Sequence, residues 1–275
     1  MKICFLCPSW GNELPFDQFV QKVKAAGYDG VETSLPIDDA ALKSRMLDAL
    51  ADAGLIFVGQ HWETVTVDFE RHQAEYLARL RNLGDGKPLL IDSQTGRDFF
   101  SFEQNMALVE VASAFTAETG IPVVHETHRG KFSFAAHVTE CFLRANPDLR
   151  IGADFSHWCN VAETLLDDQE TALSLAISRA DHIHARVGFP EGPQVPDPRA
   201  EEWADVLAKH LGWWDRIVAR ARTEGRKTLC ITPEFGPYPY MTILPGSKRP
   251  IADQWEINVF MMDLLRTRYA GMADS

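Results

Sequence analysis

Apolar runs of strand length alternate with helix-patterned segments along the chain. The runs are short and rich in Val, Ile, Leu and Phe, which is typical of parallel strands buried on both faces. Eight strands are predicted, over residues 2–7, 30–35, 55–61, 88–92, 121–127, 149–155, 181–187 and 228–234. Helices are predicted between and after them, over residues 16–27, 38–54, 68–83, 101–119, 134–145, 170–179, 199–224 and 252–269.

This alternation indicates an α/β fold. Eight strand–helix pairs in 275 residues match the size of a single (β/α)8 TIM barrel. We therefore expect one barrel domain over residues 1–275. An open doubly wound sheet is the alternative, but no Gly-x-Gly-x-x-Gly follows the first strand, which weakens its dinucleotide-binding form.

Each of the last four predicted strands carries a carboxylate or an imidazole near its carboxyl end. These residues are Glu126 in VVHETH, Asp154 in IGADFSHW, His184 in DHIHARVG and Glu234 in LCITPEFG. Their spacings of 28, 30 and 50 residues fit successive strand–helix repeats of about 30 residues. Because barrel strands end at one rim, we expect the four side chains to converge there. They would repel one another without a cation between them.

The ligand chemistry narrows the choice of that cation. A mixed carboxylate and imidazole set suits Mn²⁺, Mg²⁺, Co²⁺ or Zn²⁺, and the lack of a thiolate argues against a structural zinc cage.

Further polar and aromatic residues flank these strand ends. Arg186 shares a strand face with His184 and is a candidate to clamp a substrate oxygen, with a salt bridge to a rim carboxylate as the alternative. His128 is a candidate contact for a substrate hydroxyl. His61 is a candidate pocket residue, with a core role as the alternative, and Trp158 is a candidate surface for stacking a sugar ring.

The sequence also predicts the roles of Glu32, of three helical histidines and of two long loops. Glu32 is expected to make structural hydrogen bonds near the barrel mouth, and helical His72, His137 and His210 are expected in solvent. The Pro- and Gly-rich segments 188–198 and 236–253 are too long for simple connections, so we expect binding loops or lids.

Composition excludes several classes of partner. The net charge is −12 and no Lys/Arg block stands out, which argues against nucleic acid and against an anionic membrane surface. No apolar run approaches the roughly 20 residues of a membrane span, and no signal peptide is expected. Five cysteines without framework spacing favour free thiols and a cytoplasmic location. In CFLC (4–7), positions i and i+3 of a strand face opposite sides, so we expect two buried cysteines and no chelating pair.

These motifs resemble those of the xylose isomerase-like TIM barrels, which include sugar isomerases, ketose 3-epimerases and inosose dehydratase. The resemblance spans the chain in layout and is specific at the Glu of HETH, the D-x-x-H of DFSH, the H-x-H of HIH and the PEFG turn. It implies one divalent metal ion with the ligands Glu126, Asp154, His184 and Glu234. It also implies that Glu126 and Glu234 are the acid/base pair, that His157 contacts substrate, and that His182 supports the site or touches substrate.

The expected activity follows from this resemblance. It is a metal-dependent isomerase or epimerase that acts on a keto sugar or sugar-derived polyol through a metal-stabilised enediolate. A metal-dependent dehydratase or lyase on a keto-inositol or keto sugar is the first alternative. An AP endonuclease-like phosphodiesterase and a non-catalytic binding barrel are weaker ones. The expected partner is a small carbohydrate; the substrate, the metal and a homo-oligomeric state stay open.

Overall fold

Eight parallel strands close into a barrel in sequence order in the computed structural model, which describes residues 1–271. The strands are β1 (Lys2–Pro8), β2 (Gly30–Thr33), β3 (Ile56–His61), β4 (Ile91–Ser93), β5 (Val123–Glu126), β6 (Ile151–Ala153), β7 (Ala180–His184) and β8 (Thr228–Thr232). The helices are α1 (Phe16–Ala25), α2 (Ala40–Ala53), α3 (Phe69–Gly84), α4 (Phe102–Thr119), α5 (Ala136–Ala145), α6 (Phe155–Ala162), α7 (Glu170–Arg179), α8 (Ala204–Thr223) and α9 (Gln254–Ala270). The predicted (β/α)8 barrel is confirmed.

Local capping explains where the helices begin and end. Ser101 accepts a hydrogen bond from the Gln104 backbone, and the Gln104 side chain accepts one from the Ser101 backbone, which forms a capping box before α4. Helix α2 begins after Asp39, which accepts from the Leu42 N–H, and ends at Gly54 with φ +66°.

The sixth strand is shorter than predicted and is followed directly by an unpredicted helix. The sequence pattern indicated a strand over 149–155, but β6 ends at Ala153 and α6 begins at Phe155. The Asp154 carboxylate accepts the Ser156 N–H at 3.1 Å, so it caps the helix. Asp154 is therefore held at the junction of strand and helix.

An apolar plug closes the lower part of the barrel interior. It consists of Cys4, Leu6, Val58, Leu90, Val124 and Cys230. Cys7 packs in the outer core, so the two cysteines of CFLC face opposite sides, as predicted. No helix within residues 1–271 has both the length and the apolar character of a membrane span.

Polar side chains fill the interior above the plug. Alternate strands contribute Glu32, Asp92, Gly152 and Thr232 at one level, where the Thr232 hydroxyl donates to Glu32. The Asp92 carboxylate lies over Gly152, whose missing Cβ leaves room for it. The barrel therefore becomes polar and acidic toward the carboxyl ends of its strands.

Candidate metal and substrate site

The carboxyl ends of β5 to β8 bring four side chains together. Glu126 and His184 are the last residues of β5 and β7, and Asp154 and Glu234 follow β6 and β8. Each offers one ligand atom, and these atoms all lie within 4.8 Å of one another. All four residues are buried. The arrangement is a three-carboxylate, one-imidazole cluster.

His184 is oriented by a carboxylate below the cluster. Its Nε2 lies 2.9 Å from Glu32 Oε1 and makes a hydrogen bond with it. Its Nδ1 makes no hydrogen bond with any described residue, although Glu234 Oε2 lies 2.9 Å away. A carboxylate on the outer nitrogen of a histidine directs the other nitrogen toward a metal ion, so His184 has the orientation of a metal ligand.

The same carboxylates stabilise a charge on His184. Burial opposes the charge, but Glu234 and Glu32 raise the pKa of the imidazole well above its ordinary value. A proton on the ring thus supplies positive charge when no ion does.

Glu126 is the least satisfied member of the cluster. It is fully buried, and neither carboxylate oxygen has a hydrogen-bond partner in the described part of the chain. Burial raises its pKa, but His184 outweighs this and lowers it to about 2, so the group is ionised. Buried carboxylates without donors are rare unless they bind a cation. The donor set and this unsatisfied group fit a divalent ion.

Arg186 supplies a fixed positive charge beside the cluster. Its Nη2 donates to Asp154 Oδ2 and, over 3.1 Å, to Glu234 Oε2. Burial opposes the charge, but Asp154 and Glu234 raise the pKa of Arg186 above its ordinary value. Its Nη1 lacks a hydrogen-bond partner among residues 1–271. The predicted salt bridge is present, and one nitrogen is left for another acceptor.

A cavity of about 400 Å³ opens over the cluster. Glu234, Arg186 and His128 line it from the charged side. The remaining wall includes Trp10, Trp62, Tyr240, Gln60, Gln94 and Ser34. Aromatic faces combined with amide and hydroxyl groups suit a polyhydroxylated ligand.

The loop over 236–253 supplies part of this cavity. Tyr240 lies with its ring 4.8 Å from the Arg186 guanidinium and packs edge-on against Trp10, with 4.9 Å between the ring centres. From the loop over 188–198, Gln194 accepts the Gly236 N–H at 2.7 Å. The two loops are thus tied together above the site.

His61 does not reach the cavity. Its ring bonds to Ser93 at 3.0 Å and to Thr64 at 2.7 Å, on the side of the strand that faces helix α3. Gln60 takes the inward position and donates to Glu234 Oε1 at 2.8 Å. His61 therefore has the core role that was the alternative. Side chains alternate along a strand, and the sequence-based prediction put His61 on the inward face of β3, where Gln60 lies.

Two other predicted substrate contacts also lie elsewhere. Trp158 is 1% exposed and donates its indole N–H to the Ser133 carbonyl, packed against Phe155 rather than on the cavity wall. His182 lies below His184, with Nε2 3.0 Å from Glu32 Oε2. Trp158 is buried because it lies on α6, a helix that the sequence pattern does not predict.

His157 and His128 lie together beside Arg186. Their ring centres are 4.0 Å apart, and His157 Nε2 lies 3.1 Å from Arg186 Nη2. Burial, with His128 and Arg186 next to it, lowers the pKa of His157 well below its ordinary value. His157 is thus a neutral neighbour of the guanidinium, and His128 is the histidine on the cavity wall.

Two helical histidines are buried, contrary to expectation. His72 and His210 have no exposed surface. His210 donates from Nδ1 to the Val206 carbonyl at 3.0 Å and accepts the Gly188 N–H at 3.2 Å. It therefore supports the loop that begins after Arg186. The expectation of solvated rings was wrong because these positions face the barrel.

Solved structures with the same fold include sugar-converting enzymes. D-Allulose 3-epimerase from Methylomonas sp. is 14% identical, with a TM-score of 0.64 and 98% of each chain covered. A xylose isomerase domain containing protein from Salmonella typhimurium is 15% identical, with a TM-score of 0.61 over 98% of this chain and 99% of that one.

A dehydratase has the fold as well. The probable 3-DHS dehydratase of petrobactin synthesis from Bacillus anthracis is 18% identical, with a TM-score of 0.60 over 97% of this chain and 100% of that one. No family model matches the sequence, and a search of curated proteins finds no match. At these identities the similarity establishes the fold alone, a (β/α)8 barrel.

Proposed function

We propose that this protein is a divalent-metal-dependent isomerase or epimerase that acts on a keto sugar or a sugar-derived polyol. The observation that carries the proposal is the buried Glu126 carboxylate. It has no hydrogen-bond donor within the described residues, and its Oε1 lies 3.6 Å from the open Nδ1 of His184. A cation between them would explain why the buried Glu126 carboxylate has no donor and why His184 Nδ1 has no hydrogen-bond partner.

The residues that would hold this ion are Glu126, Asp154, His184 and Glu234. A divalent ion bound there would polarise a substrate carbonyl and would stabilise the negative charge that develops on the substrate oxygens when the adjacent carbon loses a proton.

Glu234 is the carboxylate placed to take that proton. It lines the cavity, whereas Glu126 is fully buried beneath it. Gln60 holds its Oε1 at 2.8 Å, which fixes the direction of the carboxylate. We assign both the removal and the return of the proton to Glu234, and we assign Glu126, which is ionised and lies beneath the cavity, to holding the ion. Return of the proton to the neighbouring carbon gives an isomer, whereas reprotonation of the original carbon from the opposite face of the resulting enediolate gives an epimer and requires a second proton donor on that face.

Arg186 and His128 are assigned to substrate oxygens. Arg186 Nη1 is unpaired at the cavity, so it is available to a carbonyl or hydroxyl oxygen. His128 donates from Nδ1 to the Arg129 carbonyl at 2.6 Å, which leaves Nε2 as an acceptor for a substrate hydroxyl. Trp10 and Tyr240 supply apolar faces for the ring or chain carbons.

A dehydratase that acts on a keto-inositol or keto sugar is the second candidate. Its first step is the same removal of a proton beside the carbonyl, followed by loss of a β-hydroxyl. Arg186 Nη1, which has no partner among residues 1–271, is available to donate to the departing hydroxyl, and the proton taken by Glu234 leaves with that hydroxyl as water. The probable dehydratase among the solved structures with this fold supports this second candidate function.

One experiment separates these reactions. The purified chain is loaded with Mn²⁺ or Co²⁺ and incubated with ketopentoses, ketohexoses and keto-inositols in deuterated water, and the products are followed by NMR. Deuterium at the carbon beside the carbonyl supports the isomerase or epimerase, and product that has lost water selects the dehydratase. If no substrate of the panel gives either result, both proposed reactions are contradicted.

A further inference from the structure

A second group of buried ligand atoms lies directly below the first. Glu32, Asp92, His182 and His184 each offer one atom, and these atoms lie within 4.8 Å of one another. His184 belongs to both groups, because its Nδ1 faces upward and its Nε2 faces Glu32 and Asp92. The lower group lies deeper in the barrel, between the first cluster and the apolar plug.

Asp92 is the unsatisfied carboxylate of this lower group. It has no exposed surface, and neither of its oxygens has a hydrogen-bond partner in the part of the chain that the structure describes. The nearest donor is His184 Nε2, 3.2 Å from Asp92 Oδ2, and it bonds instead to Glu32 Oε1 at 2.9 Å. A fully buried carboxylate without a donor requires a cation or a proton of its own.

His182 independently indicates a cation at the same place. Its Nδ1 lies 3.1 Å from the Cys230 carbonyl, which only accepts, so Nδ1 carries a proton. With no second proton on the ring, the Nε2 lone pair faces Glu32 Oε2 at 3.0 Å. Two acceptors this close repel each other unless a positive charge lies between them, and about 3 Å is the spacing of adjacent ligands on an octahedral ion with bonds of about 2.1 Å.

The balance of buried charge also favours a second cation. If Glu32, Asp92, Glu126, Asp154 and Glu234 are all ionised, they place five negative charges in the buried interior. Arg186 and one divalent ion cancel three of these if the histidines are neutral. Two negative charges then remain in the interior, where uncompensated charge is strongly unfavourable. A second divalent ion cancels them.

We propose that Glu32, Asp92 and His182 bind a second divalent cation below the first. Two carboxylates and an imidazole suit Mn²⁺, Co²⁺ or Zn²⁺. His184 then lies between the two ions, with Nδ1 toward the upper one and its Nε2–H still donated to Glu32. The lower position goes beyond the proposed function and does not depend on which sugar binds.

The test counts and locates ions in the full chain. Chelator-treated protein is saturated with Co²⁺ or Mn²⁺, freed of excess ion and analysed for metal per chain. Wild type is expected to hold two ions. Asp92→Asn is expected to hold one, and Asp48→Asn, a change on the exposed face of α2, is expected to hold two.

Anomalous diffraction from metal-loaded wild-type crystals gives the same test without any variant. It is expected to show one peak among Glu126, Asp154 and Glu234 and a second among Glu32, Asp92 and His182. A single ion per chain at saturation, or one peak at the upper position alone, overturns the second site.

These outcomes are distinct from failure of the proposed function. One ion per chain together with deuterium exchange into a keto sugar removes the second site and leaves the proposed function standing. Two ions without exchange for any substrate leaves the second site standing and contradicts the proposed function.

Discussion

Gln60 and Glu234 are joined by a hydrogen bond of 2.8 Å between the side-chain amide of one and Oε1 of the other, across the barrel mouth. The bond leaves Oε2 of Glu234 to face His184 and Arg186. It therefore sets the direction of the carboxylate to which we assign proton removal.

We expect Gln60→Leu to slow deuterium exchange into the substrate by roughly tenfold, since hydrogen bonds to charged groups contribute on the order of 1.5–3 kcal/mol. The metal content is expected to stay unchanged, as measured by elemental analysis. Gln94→Leu removes the other amide from the cavity wall and is the matched control, with its effect on KM rather than on kcat. Equal kcat in wild type and Gln60→Leu would show that Glu234 does not need this bond.

Arg186→Met is expected to destabilise the metal-free protein strongly. Loss of one partner of a buried ion pair costs about 3–5 kcal/mol, and Asp154 would lose the guanidinium that contacts it. A bound divalent ion supplies part of the missing charge. We therefore expect Mn²⁺ to raise the Tm of the variant more than that of wild type, as measured by thermal unfolding with and without metal. The same metal-induced shift in both proteins would contradict this.

Gly152→Ala is expected to destabilise the barrel by about 2 kcal/mol or more, because overpacking and displaced polar groups are costly in a core. The new Cβ would overlap Asp92 Oδ1. Gly212→Ala is the control, because its Cβ would meet nothing within 4 Å in helix α8. It should be neutral or stabilising by up to about 1 kcal/mol. Urea unfolding measures both, and Asp92→Ala should reduce the cost of Gly152→Ala if the overlap causes it.

Stability should fall as the pH is lowered from about 6.5 to about 4, in part because of His210. Burial lowers the pKa of His210 to about 4, although its bond to the Val206 carbonyl opposes this. The unfolded chain therefore binds a proton in this range that the folded chain does not, and the free energy of unfolding decreases by on the order of 3 kcal/mol from this one group. Chemical unfolding of wild type and His210→Gln between pH 7 and pH 4.5 checks this. The variant should show the weaker pH dependence, and equal slopes would contradict the assignment.

The sequence predicted the barrel because most of its eight strands are rich in apolar residues and alternate with helix-patterned segments. It also predicted that Glu126, Asp154, His184 and Glu234 would meet, because each ends a strand and barrel strands end at one rim. These inferences need only chain order and spacing.

The inward face of each strand was harder to predict. A strand that is buried on both faces has no alternation of apolar and polar residues. The hydrophobic pattern of such a strand therefore does not show which residues face the barrel interior. His61 was chosen where Gln60 faces inward. Asp92 was not recognised, although it is the last residue of the fourth strand predicted at 88–92 and lies within the observed strand Ile91–Ser93. Its proximity to His184 comes from barrel closure, which local sequence does not encode.

The central claim is that an ion held by Glu126, Asp154, His184 and Glu234 promotes proton exchange at a substrate carbon. The most direct test compares deuterium incorporation into a keto substrate by wild type and Glu234→Gln, each with its bound metal quantified. We predict exchange in metal-loaded wild type, none after chelation, and none in a folded Glu234→Gln. Exchange that survives removal of the metal, or full exchange in Glu234→Gln, would contradict the account.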